Sequence, residues 1–418
     1  MRTARRARVS EALPDFPWDS LAEAKATAAA HADGIVDLSV GTPVDPVDTL
    51  IREALASASD FPGYPTTVGT KELREAAAEA LARRYGTSGL DESSILPVIG
   101  TKEAIAGLTS ALGIGVGDNV VIPEVAYPTY EVSALLAGAS VTRADSTLQI
   151  GPVMGSSAPA LMFINSPSNP TGRVLGVDHL RKVVAWCREH DTILASDECY
   201  LGLSWDTEAV SILDPRVSDG DHTGLLAIHS LSKISNLASY RAGFFAGDRD
   251  LIAELLAVRK HSGMIVPFPI QAAMTAALSD DTHVEAQRAR YQLRRSRLLP
   301  AVREAGFRVD DSEAGLYLWA TRDEPCWDTV SALAEQGDSG VTPRHTLFYF
   351  YGEGDHGDLN EVARRAGFLT RGADDYTVLE TTMAVDEASF AATSAMMQTW
   401  AAAFQLDYDG WECAVVTN

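Results

Sequence analysis

The 418-residue chain has only four cysteines, and none stands in a C-x-x-C pair or beside histidine at metal-ligand spacing. That argues against a disulfide scaffold and a cysteine-bound zinc, and Cys187, Cys199, Cys326 and Cys413 read as reduced thiols of a cytoplasmic protein. The nine histidines include no H-E-x-x-H and no run of eighteen apolar residues occurs, so neither a metal nor a membrane span is expected. Also missing is the G-x-S-x-G elbow of many hydrolases, and Gly113-x-Gly115-x-Gly117 does not fit the dinucleotide fingerprint G-x-G-x-x-G. Positive charge is short: 34 Lys and Arg against 57 Asp and Glu give a net −23, a field that repels nucleic acid and anionic lipid alike. Only Arg2, Arg5, Arg6 and Arg8 form a local basic cluster, and no apolar segment follows them as in a secretory signal, so a frayed arm is expected there.

What is present describes a folded, enzyme-sized protein of two or three domains, with 46% hydrophobic and 22% charged residues. Residues 1–46 read as an arm with a short Ala-rich helix (Leu21–Ala30) and a strand-like Ile35–Val40, closed by the turn signal Gly41-Thr42-Pro43. Over 47–285, helical stretches (Lys71–Tyr85, Glu103–Leu112, His179–Glu189) alternate with short apolar runs: Ile95–Ile99, Asn119–Ile122, Ala160–Ile164, Thr192–Ala195, Leu225–Ile228 and Ala242–Ala246. Continuous apolar runs between helices are what a mostly parallel sheet covered on both faces requires, so 47–285 predicts a large α/β domain. A charged helix, Asp281–Arg303, leaves it. Residues 286–418 predict a smaller α+β domain, with strands at Leu316–Thr321 and, last, Tyr376–Met383, and a helix at Asp386–Phe404.

Five of the six lysines (Lys25, Lys71, Lys102, Lys182, Lys260) keep charged, helix-like company, where solvation explains them. Lys233 differs. It ends His229-Ser230-Leu231-Ser232-Lys233, a hydroxyl-rich loop after an apolar run, at the carboxyl end of a predicted buried strand, where open α/β sheets keep their ligands. A desolvated lysine beside a cation has a lowered pKa and forms a Schiff base with a carbonyl, the chemistry of pyridoxal phosphate. Arg241, eight residues on, offers a fixed guanidinium for a phosphate. Asp197 ends another apolar run, and a buried carboxylate there calls for a cationic partner such as a protonated pyridine nitrogen. Gly100-Thr101-Lys102 opens a helix whose free amides suit a phosphate, Asn169 lies in the turn-rich loop 165–172 within reach of a ring oxygen, and Tyr127 follows a strand end where it can stack on a planar ring. Each of these alone is explained as well by a plain loop; the set is not.

Together, Gly41-x-Pro43, Tyr64-Pro65, Gly69-x-x-x-Leu73-Arg74, Gly100-Thr101-Lys102-Glu103, Tyr127-Pro128-x-Tyr130, Asn165-x-Pro167-x-Asn169-Pro170-Thr171-Gly172, Asp197-Glu198-x-Tyr200 and Ser230-x-Ser232-Lys233 with Arg241 resemble the class I/II aminotransferases of pyridoxal-phosphate fold type I, to about Thr342. Leu13–Asp19, Val36–Pro46 and His229–Lys233 resemble the actinobacterial succinyldiaminopimelate aminotransferase branch. The resemblance implies that Lys233 carries the cofactor as a Schiff base and shuttles the Cα proton, that Asp197 faces the ring nitrogen, that Asn169 and Tyr200 bind the ring oxygen, and that Tyr127 stacks on the ring. It implies a phosphate cup of Gly100, Thr101, Lys102, Ser230, Ser232 and Arg241, completed by Tyr64 of a second subunit, hence a homodimer with shared sites acting on a small amino acid.

The C-terminal region departs from the pattern. Family members carry an arginine for the substrate carboxylate on a late strand, and aligning Met383–Glu387 behind that strand puts Leu379 in its place. The stretch 343–376 reads as a divergent insertion, whose Arg364, Arg365 and Arg371 are either substitutes or solvated surface residues. Losing a bidentate contact costs on the order of 1.5–3 kcal/mol of binding, enough to change the substrate class. The readings are therefore an aminotransferase with a non-standard substrate in a specialised pathway, a non-transaminating pyridoxal-phosphate enzyme of secondary metabolism (elimination, replacement or carbon–carbon bond formation), or a silent binding protein, against which Lys233, Asp197 and Arg241 argue together.

Overall fold

A computed structural model of the chain describes residues 9–30, 34–149, 158–335, 344–351, 355–366, 368–373, 376–383 and 387–415. The basic cluster Arg2–Arg8 lies outside them. The chain divides into two units, one built on Gly41–Arg297 and Val309–Ala320, the other on Asp15–Val40, Leu298–Arg308 and Thr321–Asn418.

In chain order the helices are α1 (Ala22–Ala29), α2 (Thr49–Ser57), α3 (Lys71–Tyr85), α4 (Thr101–Ala111), α5 (Thr129–Ala137), α6 (Val177–Glu189), α7 (Pro215–Ser218), α8 (Arg249–Ser262), α9 (Phe268–Ser279), α10 (Thr282–Glu304), α11 (Cys326–Glu335), α12 (His356–Arg365) and α13 (Glu387–Phe404). The strands of the first unit's main sheet are β1 (Ile95–Ile99), β2 (Asn119–Ile122), β3 (Ser140–Arg143), β4 (Leu161–Asn165), β5 (Ile193–Asp197), β6 (Leu225–Ser230) and β7 (Ala242–Gly247). They form one sheet in the order β1-β7-β6-β5-β4-β2-β3, parallel except for β7, which runs against both neighbours.

Strand residues alternate between two cores, as the pleat dictates. Met162, Leu194 and Phe244 face one, with Leu73 of α3 and Met274 of α9. Phe163, Ala195 and Phe245 face the other, with Ile105 of α4 and Leu255 of α8. Both faces are covered, so β4, β6 and β7 are buried end to end, and the expected α/β architecture with a mostly parallel sheet is what folds. Local signals set the helix ends. The Thr70 hydroxyl accepts from Leu73 N–H at 3.1 Å to start α3, and Gly86 at φ 68° ends it.

Three expectations change. Ile35–Val40 forms no strand; Val36 and Leu38 are exposed (82% and 74%), so their apolar alternation does not mark a buried face. Leu316–Thr321 shrinks to β9 (Trp319–Thr321), which pairs with β8 (Arg308–Asp310) in a two-stranded sheet. Tyr376–Met383 is a strand but not the last one.

In the second unit α1 packs against α11. The remaining elements, β10 (Arg344–Tyr351), α12, β11 (Leu369–Ala373), β12 (Tyr376–Met383), α13 and β13 (Asp407–Val415), make a β-α-β-β-α-β series. Its sheet runs β11-β12-β10-β13, with every neighbour antiparallel. That is the split-βαβ, ferredoxin-like arrangement. Residues 344–373, which look like an insertion in the sequence, are its first half. Leu379 is fully buried in its core with Phe348, Phe350, Leu359, Ala363, Phe368, Met397, Ala401 and Leu406. Of the arginines considered as substitutes, Arg364 donates to Thr370 at 2.9 Å, Arg365 pairs with Glu361, and Arg371 is exposed.

Candidate active site

Because β4, β5 and β6 are parallel neighbours, their carboxyl ends meet at one edge of the sheet. Register puts Asn165 beside Asp197, and Asp197 beside Ile228 two residues before Ser230. β7 starts at that edge, with Ser230 opposite Gly243 and Arg241 just ahead of the strand; β1 ends there, with Ile99 opposite Ala242, and feeds Gly100 into α4. Residues from five strand ends, far apart in the chain, are therefore neighbours, as in other open α/β sheets.

At one pole lies Asp197, 6% exposed. Its Oδ2 accepts from the Tyr130 hydroxyl at 2.8 Å and its Oδ1 from Cys199 N–H at 3.1 Å. Burial pushes its pKa up; the two hydrogen bonds pull the other way but do not cancel it. Among the described residues it has no lysine or arginine in an ion pair, so its acceptor capacity is held ready in a low-dielectric site. Asn165 braces the strand ends by donating to the carbonyls of Asp197 (2.9 Å) and Pro167 (3.0 Å), and its own Oδ1 accepts from Asn169 N–H at 2.7 Å, which ties Asn169 to this corner.

The other pole is cationic. Lys233 is half-buried, and its Nζ donates to the Gly41 carbonyl. Burial lowers its pKa, and Arg241 adds to the effect while Cys199 opposes it. Arg241 adopts φ 57°, donates through Nη1 to Ala238 O at 2.9 Å, and lays its guanidinium against Gly100. Gly100 caps α4 at φ 75° and, having no side chain, supplies no cap to the first amides of the helix. A Cβ at Gly100 would lie 2.3 Å from an Arg241 guanidinium nitrogen, and one at Gly243 would press on Thr101 at 3.0 Å. Ser230 Oγ accepts from Ser232 N–H at 3.1 Å, folding the loop over the same pole. Lys102 is exposed on the first turn of α4. Two cations and a helix N-terminus therefore stand at one pole, a combination whose field favours an anion.

Tyr200 is 6% exposed, and its hydroxyl hydrogen-bonds that of Tyr317 at 2.9 Å; burial pushes both phenols up. Tyr127, partly buried, meets Tyr130 edge-on at 5.9 Å. Tyr64 is not drawn in: it is 97% exposed. Sequence reasoning missed Tyr130 and Tyr317, which act across 67 and 117 residues, and the closeness of Gly41, where an added Cβ would sit 2.9 Å from the Tyr317 hydroxyl. The phrase Tyr127-Pro128-x-Tyr130 was the available signal for the first. It also missed a buried pair beneath the site. Glu198 Oε1 accepts from Ile212 N–H at 2.8 Å, while its Oε2 stands 3.5 Å from His229 Nε2 and, among the described residues, neither of those two atoms has a hydrogen-bond partner.

A family model described as aminotransferase class I and II matches residues 33–347. Over 332 residues, 79% of this chain and 78% of the relative, the sequence is 65% identical to a probable aminotransferase of Mycobacterium tuberculosis. Over 325 residues, 78% of this chain and 89% of the relative, it is 55% identical to the 4-dedimethylamino-4-oxo-anhydrotetracycline transaminase OxyQ of Streptomyces rimosus. Among solved structures, N-succinyldiaminopimelate aminotransferase of M. tuberculosis superposes with a TM-score of 0.65 at 25% identity, over 74% of this chain and 82% of that one.

Proposed function

The chain belongs to the class I and II aminotransferases, and on that premise we propose that its site holds pyridoxal 5'-phosphate and moves an amino group to or from a small, non-standard substrate of a specialised biosynthetic pathway. The observation that carries this reading is the pairing of opposite poles at one sheet edge: a cationic cup (Gly100, Thr101, Ser230, Ser232, Arg241) beside a half-buried lysine, and at Asp197 a buried carboxylate with no cationic partner among the described residues. A planar ring with an anionic phosphate at one end and a protonated nitrogen at the other matches both. The fit is also steric, since the cup needs glycine at 100 and 243 to stay open.

In that reading the phosphate is held by the α4 amides of Thr101 and Lys102, by Ser230 and Ser232, and by Arg241, with Tyr64 contributed to the other subunit of a cytoplasmic homodimer. Tyr127 stacks on the ring, and Asn169 and Tyr200 hydrogen-bond its oxygen. Asp197 keeps a proton on the ring nitrogen; the cation it faces repays the cost of ionising a buried carboxyl. When bound, the group supplies an electron sink that acidifies the Cα of an attached amino acid. Lys233, freed from Gly41, removes that proton at Nζ and returns it. Burial and Arg241 suit it to the task by lowering its affinity for a proton below that of an ordinary lysine. The tetracycline-intermediate transaminase relative supports a non-standard substrate.

Hydride reduction followed by peptide mass spectrometry tests the assignment. The pyridoxyl mass is expected on Lys233 and lost in Lys233→Ala; finding it on another lysine, or nowhere, overturns it. Adding an amino donor is expected to convert the cofactor's visible absorption to that of its amine form. Substrate consumption without that conversion would favour elimination or replacement instead.

A further inference from the structure

We infer that Asp45, Gln287, Tyr291 and Arg294 are positioning residues for Lys233: one face of α10 grips the lysine by its main chain and, through the strap 41–46, fixes the carbonyl on which its amine rests. The inference rests on the amino-transfer reading above and deepens it. The three buried residues of α10 are His283, Gln287 and Tyr291, polar where a packed helix ordinarily buries aliphatic side chains. With Arg294 they stand four, four and three residues apart, hence on one face. That face is spent on the segment that follows Lys233 and on the strap. His283 Nε2 shares a hydrogen bond with the Ser235 hydroxyl at 2.9 Å, and its Nδ1 shares one with Asp280 at 2.7 Å. Gln287 Oε1 accepts from Asn236 Nδ2 at 2.9 Å. The Tyr291 hydroxyl donates to the Lys233 carbonyl at 3.2 Å, and burial, by pushing this phenol up to about 12, keeps it a donor.

The strap has neither helix nor strand, and among the described residues no main-chain group outside it hydrogen-bonds its backbone. Side chains hold it instead. Asp45, its side chain 5% exposed, accepts from both terminal nitrogens of Arg294, at 2.6 and 2.5 Å, and from Gln287 Nε2 at 2.7 Å. Burial by itself would raise the Asp45 pKa, but Arg294 and Gln287 hold it below the ordinary carboxylate range. Asn236 Nδ2 also donates to the Pro46 carbonyl, at 3.3 Å. At the strap's other end, the Gly41 carbonyl accepts from Lys233 Nζ. Lys233 and the acceptor of its amine are thus fastened to the same helix face by separate side chains. A neutral amine held through one N–H keeps its lone pair for the Cα proton, so play in the strap is felt as slower proton transfer rather than as weaker substrate binding.

The test uses the full chain in two states. In apoprotein treated with acetic anhydride, acetylation of Lys233, read by peptide mass spectrometry, is expected to be about fivefold faster in Asp45→Ala and Arg294→Met than in wild type, with exposed Lys260 within twofold. In holoenzyme at saturating amino donor, conversion to the amine form is expected to be about fivefold slower in both variants and in Tyr291→Phe, with a larger isotope effect from α-deuterated donor and half-saturation within twofold. The double variant should be no slower than either strap single, since both cut the same latch. Ser296→Ala, on the exposed side of α10, should match wild type. Unchanged acetylation of Lys233, additive losses in the double variant, or a loss confined to thermal stability or half-saturation would overturn the inference. If the strap variants do not fold, Tyr291→Phe decides: an unmoved rate and isotope effect overturn it. If wild type takes up no cofactor, the proposed function fails, while the acetylation rates still decide whether Asp45 and Arg294 hold the lysine.

Discussion

Glu198 is 2% exposed and its free oxygen faces His229, itself 5% exposed. Burial pushes the Glu198 carboxyl up to about 7 and His229 down to about 3, so at mildly acidic pH both are neutral and the proton resides on Glu198. Raising a carboxyl from 4.5 to about 7 means that its ionised form is disfavoured in the fold by about 3 kcal/mol. The folded state binds this proton more tightly than the unfolded chain, so the contribution to stability is complete below pH 4.5 and is lost as pH rises through 7. Glu198→Gln keeps the acceptor for Ile212 N–H but cannot ionise. Measured by urea unfolding of the larger unit between pH 5 and 8.5, wild type is expected to lose up to about 3 kcal/mol relative to Glu198→Gln, most of it below pH 7.5. Parallel pH profiles for the two proteins would refute the reasoning, since they would mean that His229 takes the proton and the pair stays charged throughout.

Gly100→Ala forces a left-handed residue, at about 1–2 kcal/mol, and drives its methyl into the Arg241 guanidinium. Spectrophotometric titration of the apoenzyme is expected to show cofactor affinity down about tenfold, whereas Gly107→Ala, inside α4 with nothing within 4 Å of the added carbon, should leave affinity unchanged and raise stability by up to about 1 kcal/mol. Tyr317→Phe removes the 2.9 Å contact to Tyr200, worth about 1 kcal/mol net. A pH titration of the cofactor's visible band is expected to move, because Tyr200 loses the partner that orients its hydroxyl; an unmoved band would show that Tyr317 has no hold on it.

The buried strands were legible because burial on both faces leaves continuous apolar runs, and β1 and β2 lie where those runs lie, residue for residue. The clustering of Asp197, Ser230 and Gly100 was readable for a related reason: each follows such a run. Direction was not readable. Ala242–Gly247 is as apolar as its parallel neighbours, and nothing in six small and aromatic residues says that it runs the other way. β3 escaped because an edge strand with Ser140 and Arg143 exposed has no apolar run. Tyr317 escaped because its role depends on a partner brought near only by the fold. At the C-terminus the strand at 376–383 was found but misread: one apolar alternation serves many sheets, and only the pairing of all four strands reveals which sheet this one belongs to.

The reversed β7 ties the start of the catalytic unit to a late segment, Ile95 lying opposite Ala246. During synthesis the mouth of α4 therefore waits for Arg241, and until β7 emerges, β6 offers a bare apolar margin to the surrounding medium. Growing chains halted before residue 247 should accordingly be sticky and unable to retain the vitamin, whereas those halted after α10 should already be competent to capture it.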